Sequence, residues 1–298
     1  MNSGRTPIGL AGRELGLATL TGGNHAAAWA TVRASVIGLV CVVLLFPIYW
    51  MVLNAIQPGA YTLRWPPYLS PQGLAWSNFA ELFAEKPIAH WLAMSSFVAG
   101  IVVVATLVVV IPAAYALSRL RWRGRELLGL LLLFTQMMPG ALVVAPELGL
   151  YRALGWTDNL AALAVVHAAF VVPLCTWILK TSFDAIPRDL LEAALCDGCN
   201  YWSAMLRVVL PLTRPGLVAV SVVAFFSSWN EYLFSSALIT KSDLYTGSLG
   251  IATLITQLDT PIFVLMAAGV MFSVLPVAFY IAIQRHILAG ITAGAVKG

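Results

Sequence analysis

Six stretches of the chain are almost wholly apolar, and each is about 20 residues long. A transmembrane helix needs roughly 20 apolar residues, because the hydrocarbon core is ~30 Å thick and a helix rises ~1.5 Å per residue. The six predicted spans cover residues 34–56, 93–117, 127–145, 159–179, 217–239 and 262–283. The pattern predicts an all-α, polytopic membrane protein with a transmembrane domain over 34–284, an N-terminal arm over 1–33 and a tail over 285–298.

The third stretch is interrupted by Met138-Pro139-Gly140. Proline lacks the backbone N–H that a helix needs, so a break here leaves backbone groups without helical partners. Inside a bilayer such groups are tolerated only where neighbouring protein or water can bond them. We therefore expect this break to face the interior of the bundle.

The composition supports the membrane assignment. Hydrophobic residues make up 60% of the 298 residues and charged residues only 10%, whereas about a quarter of the residues in a soluble domain are charged. This balance argues against a secreted disulfide scaffold, a disordered chain and a nucleic-acid-binding protein. The four cysteines say little about the redox compartment.

The positive charges are distributed unevenly over the loops. Thirteen of the 17 lysines and arginines fall in the N-terminal arm, the second and fourth loops and the tail, and four fall in the remaining loops. Because cytoplasmic loops are enriched in Lys and Arg, we predict that both termini are cytoplasmic. The densest run, from Arg119 to Arg125, is interpreted as a topology anchor, although such runs can also bind acidic lipid or nucleic acid.

The fourth loop, residues 181–215, has the pattern of two short helices. Pro187 suits a first helical turn, where its missing N–H costs nothing. Asp197-Gly198 predicts the end of that helix, since glycine readily takes the left-handed cap conformation. Asn200 can cap a second helix, which is expected to end near Leu210 because Pro211 follows.

These two helices predict a hairpin held just beneath the membrane. The apolar side of its first helix is formed by Leu190, Leu191, Ala194 and Leu195. Nothing else in the sequence obviously covers that side. We therefore interpret the hairpin as a docking element for a cytosolic partner.

The same loop carries a family motif. Glu192-Ala193-Ala194, followed by Gly198 and Leu210-Pro211, resembles the EAA motif of the permease subunits of ATP-binding-cassette (ABC) importers. Val208 stands where family members usually carry Ile. Further segments, at residues 187–194, 228–232 and 291–298, are similar to the six-span, maltose-type permeases of the carbohydrate-importer branch.

The resemblance implies the type I ABC importer permease fold, in a prokaryotic cell membrane, and the transport of a sugar or sugar derivative. The implied partners are a second permease subunit in a heterodimer, two ATPase subunits and an extracytoplasmic substrate-binding protein. ATP and magnesium would be used by the ATPase, and this chain would bind no cofactor, metal or nucleic acid. The sequence has no Gly-Lys dipeptide, so it cannot form the phosphate-binding P-loop of an ATPase.

The resemblance also implies site residues. The ATPase-coupling residues would be Glu192, Ala193, Ala194, Asp197, Gly198, Arg207, Leu210 and Pro211. The last outer loop, residues 240–261, would meet the substrate-binding protein, with Thr246, Gly247 and Gly250 as candidate contacts.

A polar cluster within the predicted fifth span has two interpretations. Trp229, Asn230, Glu231 and Tyr232 could bind a sugar or form part of the gate, because an aromatic face with hydrogen-bonding side chains suits a polyol. The same cluster could instead be a packed polar network that braces the helix. Ionisable residues inside a membrane are functional candidates, but His167 is expected to be a hydrogen-bonded bundle residue, and Glu147 to reach the outer water.

Cys196 and Cys199 form a C-x-x-C motif, which elsewhere indicates redox chemistry or zinc. A structural zinc site needs four ligands and no second cysteine pair is present, so both are interpreted as packing residues. No nucleophile–base set suggests catalysis, which argues against an intramembrane enzyme. The other alternative, a stand-alone secondary transporter or channel for a small polar solute, would need buried ion-coupling charges.

Overall fold

The computed structural model describes residues 18–62, 64–256 and 260–295, and gives side chains for those between residues 29 and 285. In that part of the chain every regular element is helical. The chain divides into two compact units, residues 1–53 and 54–298.

The helices in chain order are α1 (Ala18–Ile56), α2 (Ser77–Glu85), α3 (Ile88–Arg119), α4 (Arg125–Thr135), α5 (Gly140–Ala153), α6 (Leu160–Asp184), α7 (Arg188–Cys196), α8 (Tyr201–Ala204), α9 (Leu210–Leu212), α10 (Arg214–Trp229), α11 (Leu233–Leu238), α12 (Gly247–Thr256) and α13 (Ile262–Ala295). Within the described residues, α1, α3, α6 and α13 are long and apolar enough to cross a membrane. Two bent helix pairs, α4 with α5 and the helical segment Tyr201–Leu212 with α10, bring the number of candidate spans to as many as six. The predicted all-α, polytopic fold is confirmed.

Two spans extend well beyond their predicted bounds. The helix of the first span begins at Ala18 rather than near residue 34. Residues 26–30 of this extension include four alanines, the strongest helix former. The helix of the last span continues to Ala295 rather than ending near residue 283. Parts of the predicted arm and tail, residues 1–17 and 296–298, lie outside the described residues.

The third span is broken as Pro139 predicts, and α4 and α5 meet there at 96°. The break does not face the interior of this chain's bundle as expected, because Met137, Met138 and Pro139 are exposed. The fifth span, predicted as one helix over 217–239, is also broken, because α10 ends at Trp229 and α11 begins at Leu233. The Glu231 carboxylate accepts the backbone N–H groups of Phe234 and Ser235, at 2.7 and 3.0 Å. It satisfies the first amides of α11 as a capping side chain does, so a new helix can start within the membrane.

The core of residues 54–298 lies where α3, α6 and α10 pack together. Val110 of α3, Leu163 and Leu179 of α6 and Val220 of α10 are all fully buried there. Gly216 allows the start of α10 to approach α6 closely, because a Cβ at this position would overlap the Ser182 side chain.

A run of stacked aromatic rings joins α10 to α13. The ring centroids of Phe225 and Phe279 are 4.1 Å apart, and those of Trp229 and Phe272 are 5.1 Å apart. Offset stacking of this kind adds to the hydrophobic contribution of burying the rings.

Polar contacts between loops identify the two ends of the bundle. At one end, called the Arg119 face, Arg119 donates a 2.7 Å hydrogen bond to the carbonyl of Ile186. At the other end, called the Asp158 face, the Asp158 carboxylate accepts the backbone N–H groups of Thr240 and Lys241. The α3–α4 and α6–α7 loops therefore share one end, and the α5–α6 and α11–α12 loops share the other.

Candidate functional site

The hairpin predicted over residues 181–215 lies on the Arg119 face. Its first helix, α7, begins directly after Pro187. It ends with Gly198 in the left-handed region, at a φ of +87°. The Cys199 N–H then bonds the carbonyl of Ala194 at 3.0 Å, which satisfies one of the carbonyls that a helix end leaves free.

The second helix of the hairpin differs from its predicted course. The Asn200 side chain caps it by accepting the Ser203 N–H at 2.8 Å. The helix ends at Leu212, two residues beyond the predicted Leu210, because the turn Met205–Val209 is π-helical and α9 continues through Pro211. In a regular α-helix the ring of Pro211 would clash with the carbonyl four residues earlier, and the wider π turn relieves that clash.

Most of the predicted ATPase-coupling residues lie on the surface of the hairpin. The exposed ones are Glu192, Ala193, Asp197, Gly198, Arg207 and Pro211. Leu210 is half-buried and Ala194 is buried. The hairpin also exposes four large apolar side chains, which together are called the hairpin patch. They are Leu190, Tyr201, Trp202 and Leu206, with exposed fractions of 45, 52, 62 and 55%. Sequence analysis missed the last three, although an aromatic pair directly after a helix cap could have indicated them.

The opposite side of the hairpin is attached to the bundle. The bundle therefore covers most of the apolar side that was expected to be free: Leu191 and Ala194 are buried, Leu195 is half-buried, and Leu190 alone of the four is exposed. Leu191, Met205 and Val209 are buried in the core. Arg119 bonds the carbonyls of Phe183 and Ile186, at the root of the hairpin. The hairpin is therefore an exposed surface on a fixed base, and sequence analysis had assigned Arg119 only to a topology anchor.

A second polar cluster at the root involves Asp184, the last residue of α6. Its carboxylate accepts the Ser118 hydroxyl at 2.5 Å and the Lys180 ammonium at 2.6 Å. The end of α3 is thus joined to the end of α6 by side chains on both helices.

Glu231 and His167 form a buried pair between the fifth and fourth spans. His167 Nε2 lies 2.9 Å from a Glu231 carboxylate oxygen, and the side chains are 2 and 14% exposed. His167 Nδ1 lies 3.1 Å from the Ser228 hydroxyl, and the Ser235 hydroxyl donates to the Glu231 carboxylate at 3.0 Å. The Glu231 carboxylate thus bonds two backbone N–H groups, a hydroxyl and an imidazole, and this set of partners favours the brace over the sugar site for these two side chains.

The predicted gate or substrate-path residues separate into two pairs. Trp229 is buried in the aromatic stack, and Glu231 is half-buried in the polar network. Asn230 and Tyr232, on either side of Glu231 in sequence, are exposed. The exposed pair is therefore more accessible than Trp229 and Glu231.

The breaks in the third and fifth spans lie next to each other. A Cβ at Gly140, after the first break, would touch Leu233 and Phe234, after the second. The Phe234 ring also packs on Phe170 of α6, with centroids 4.8 Å apart. Irregular backbone in a membrane occurs where it is buried in protein or lines a water-filled cavity. Because Met137 and Met138 at the first break are exposed on this chain, water or another subunit must satisfy that backbone.

The three candidate contacts for a binding protein are buried in this structure. Thr246, Gly247 and Gly250 lie at the start of α12, against α3. The Gly247 N–H bonds the Ser95 hydroxyl at 2.8 Å, and a Cβ at Gly250 would overlap the Trp91 ring. Close backbone packing therefore accounts for both glycines, and the exposed part of this segment begins at Thr240.

The remaining candidates have limited chemistry. Cys196 is exposed, Cys199 is half-buried, and both are free thiols. Glu147 is half-buried, and its Oε2 atom is buried without a hydrogen-bond partner, so it reaches water less freely than predicted. Among the described residues, no cluster of three or more His, Cys, Asp or Glu side chains could hold a metal ion.

Comparison with known proteins matches residues 110–292, which include the hairpin and both breaks, to the family described as "Binding-protein-dependent transport system inner membrane component". The chain belongs to this family. The permease is 31% identical over 280 residues to the trehalose transport system permease protein SugB of Mycobacterium tuberculosis, which covers 93% of this chain and 100% of the relative. It is 30% identical over 255 residues to the sulfoquinovosyl glycerol transport system permease protein SmoH of Agrobacterium fabrum, covering 85% of this chain and 89% of the relative.

A solved structure shows the same fold. A bacterial ABC transporter involved in the import of the acidic polysaccharide alginate superimposes on the permease with a TM-score of 0.77, at 23% identity. The match covers 87% of the permease and 96% of that chain. The resemblance to importer permeases is thus confirmed, and the permease is a multi-pass protein of the prokaryotic cell membrane.

Proposed function

We propose that the permease forms half of the translocation path for a sugar or sugar derivative in a binding-protein-dependent ABC importer. A second permease subunit supplies the other half, two ATPase subunits use ATP and magnesium, and an extracytoplasmic protein delivers the substrate. The sugar assignment rests on relatives named for trehalose and sulfoquinovosyl glycerol transport. The permease itself binds no cofactor and hydrolyses nothing.

The coupling role is inferred from the hairpin patch, which is exposed on one side of the hairpin while the other side is attached to the bundle. An exposed apolar patch marks a protein–protein interaction site when polar residues surround it, as Glu192, Asp197 and Arg207 do here. A partner that seats on the patch moves the bundle with it, because Arg119 of α3 bonds the root of the hairpin and the buried hairpin residues share one core cluster with α3 and α6. The patch is therefore where ATP-driven closure of the ATPase is delivered.

The two faces then take opposite sides of the membrane. The Arg119 face carries most of the positive charge, which assigns it and both termini to the cytoplasm. The Asp158 face is extracytoplasmic and receives the binding protein. On that face, exposed Ser242 and Asp243 precede the buried Thr246, so contact begins at these residues.

The exposed Asn230 and Tyr232 are the candidates for contact with the sugar. They lie at the break of the fifth span, next to the break of the third. Substrate sites of transporters are often formed by such discontinuous helices near the bilayer midplane. Glu231 and Trp229 hold that break in place from within the bundle.

Replacing Gly198 tests the coupling role. Gly198→Asp places a charged side chain at the tip between the two hairpin helices, and sugar uptake is expected to fall at least tenfold while the permease still inserts. Gly155→Asp is the matched control, because Gly155 also ends a helix with a positive φ, of +68°, and also has no atom within 4 Å of a Cβ. It lies after α5, away from the hairpin, so it reproduces the backbone strain alone.

Two results distinguish this function from its alternative. The ATPase subunits should co-purify with wild type and Gly155→Asp but be lost from Gly198→Asp. Unchanged uptake by Gly198→Asp, at normal membrane levels, would contradict the coupling role. Sugar uptake by the permease reconstituted without any partner would instead establish a stand-alone transporter.

A further inference from the structure

An arginine-lined cleft of about 430 Å³ lies on the Arg119 face. Arg121 and Arg125 line it from the α3–α4 loop and the start of α4, and Arg188 lines it from the first turn of α7. Trp122 and Leu127 complete its walls. The proposed function uses the hairpin beside this cleft but gives the cleft itself no role.

The positive charge of the cleft is largely unbalanced. In the described part of the chain, the ion pairs are His167 with Glu231 and Lys180 with Asp184, and neither involves a cleft arginine. Glu126 is the one acidic residue that lines the cleft. Three guanidinium groups brought together around one carboxylate repel each other, and an anion held between them relieves that repulsion.

The surroundings of the cleft are those of a lipid headgroup region. The cleft lies at the ends of two spans, α3 and α4, and Trp122, which is 41% exposed, lines it. Tryptophan is enriched at the headgroup level of membranes. One turn further along α4, exposed Leu130 and Leu131 begin an apolar surface suited to acyl chains.

We infer that this cleft binds the phosphate of an anionic phospholipid, with the acyl chains along α4. Basic pockets at the membrane face of a helix bundle are suited to such headgroups. Arg188 belongs to α7, so the lipid joins the α3–α4 loop to the first turn of the hairpin. A soluble partner would reach the cleft only from the aqueous side, whereas a phospholipid reaches both its arginines and its apolar wall. This inference goes beyond the proposed function and does not depend on which side of the membrane the face occupies.

The test measures lipid binding to the purified full-length permease, with whatever subunits co-purify, by native mass spectrometry in detergent. The probes are phosphatidylglycerol, phosphatidylcholine and inorganic phosphate. The variant is Arg121→Gln/Arg125→Gln, and Arg64→Gln/Arg152→Gln is the control, because it removes the same charge from exposed arginines elsewhere. Loss of Arg125 is expected to be tolerated, since a cation near a helix N-terminus opposes the helix dipole.

Phosphatidylglycerol should bind wild type and the control variant, and phosphatidylcholine should bind far more weakly. Each arginine near a membrane surface contributes a few-fold to anionic lipid affinity, so the double variant should bind about 30-fold more weakly. Arg188→Gln gives a second, independent reduction should the double variant fail to fold.

Four results would overturn the inference. If phosphatidylcholine bound as tightly as phosphatidylglycerol, the charge of the headgroup would play no part. If Arg64→Gln/Arg152→Gln lost as much lipid affinity as the cleft variant, the binding would not depend on this cleft. Binding of inorganic phosphate as tight as that of phosphatidylglycerol would make the ligand a free anion. Loss of the ATPase subunits from the variant, with lipid binding intact, would make the cleft a protein interface.

Discussion

The guanidinium of Arg119 donates a 2.7 Å hydrogen bond to the carbonyl of Ile186, and the same nitrogen also bonds the carbonyl of Phe183. These carbonyls lie where α6 ends, and a helix end leaves its last carbonyls without partners. A single side chain from α3 therefore satisfies the backbone at the root of the hairpin. This bond joins a membrane span directly to the root of the proposed ATPase-docking surface.

Replacing Arg119 should loosen that connection. In Arg119→Gln the charged hydrogen bonds are lost, which costs about 1.5 kcal/mol of folding free energy and lowers the melting temperature. The number of sugar molecules imported per ATP hydrolysed should also fall, because the hairpin then moves without α3. Both quantities can be measured on the complex reconstituted in vesicles.

Arg119→Lys and Arg152→Gln are the companion variants. Lysine keeps the charge but presents a compact ammonium in place of the planar guanidinium, so only partial recovery is expected. Arg152 is exposed at the end of α5, and its loss should leave the coupling ratio unchanged. If the Arg119→Gln complex imported as many sugar molecules per ATP as wild type, the hydrogen bond would not couple movement of the hairpin to α3.

Glu231→Gln tests whether the buried pair braces the broken fifth span. The amide cannot replace both carboxylate oxygens as acceptors for Phe234, Ser235 and His167. Leaving such buried groups unsatisfied costs about 1–3 kcal/mol, so the melting temperature should drop by several degrees. The KM for sugar should change little, because the side chain faces the interior of the protein.

Tyr232→Ala is the matched variant from the same break. Its side chain is 48% exposed, so the melting temperature should stay near that of wild type while the KM rises. The reverse pattern, with KM moved by Glu231→Gln and stability moved by Tyr232→Ala, would assign the sugar contact to the glutamate.

The sequence predicted local features better than contacts between distant residues. Pro139, Gly198 and Asn200 act on their own turns, and the structure has a break, a left-handed cap and a capped helix there. The break after Trp229 was missed because no proline or glycine marks it, and the sequence does not show that the Glu231 carboxylate caps a new helix. Arg119 was missed as a link because its carbonyl partners lie more than 60 residues away.

We expect the hydrogen bonds of the Asp158 carboxylate to make the folding stability of the permease sensitive to acid. The backbone N–H of Thr240, with further hydrogen bonds from the Thr240 hydroxyl and the Lys241 N–H, holds the pKa of the Asp158 carboxyl below its usual value. A carboxyl whose pKa is lower in the folded than in the unfolded state contributes stability above the unfolded pKa of about 4. That contribution is lost as the pH falls through the lower, folded value.

Asp158→Asn should remove this dependence. Asparagine tolerates the positive φ of 54° at this position, so the variant isolates the loss of the carboxylate. At pH 6 the variant should melt below wild type, and the two melting curves should converge towards pH 3. Asp243→Asn, at an exposed carboxylate on the same face, should track wild type throughout. If the melting temperatures of wild type and Asp158→Asn changed in parallel with pH, the carboxylate would contribute no pH-dependent stability.

Gly250→Ala tests whether α12 is held by close packing or is a contact for the binding protein. A Cβ at Gly250 would overlap the Trp91 ring, and Trp91 is 5% exposed and cannot swing into solvent. Overpacking of this kind costs about 1–3 kcal/mol, so the melting temperature of the permease should fall without any partner present. Gly100→Ala makes the same change within α3, where no atom lies within 4 Å of the new Cβ, and should be neutral or slightly stabilising. If Gly250→Ala left the melting temperature unchanged but weakened capture of the binding protein, the glycine would be a receptor contact rather than a packing residue.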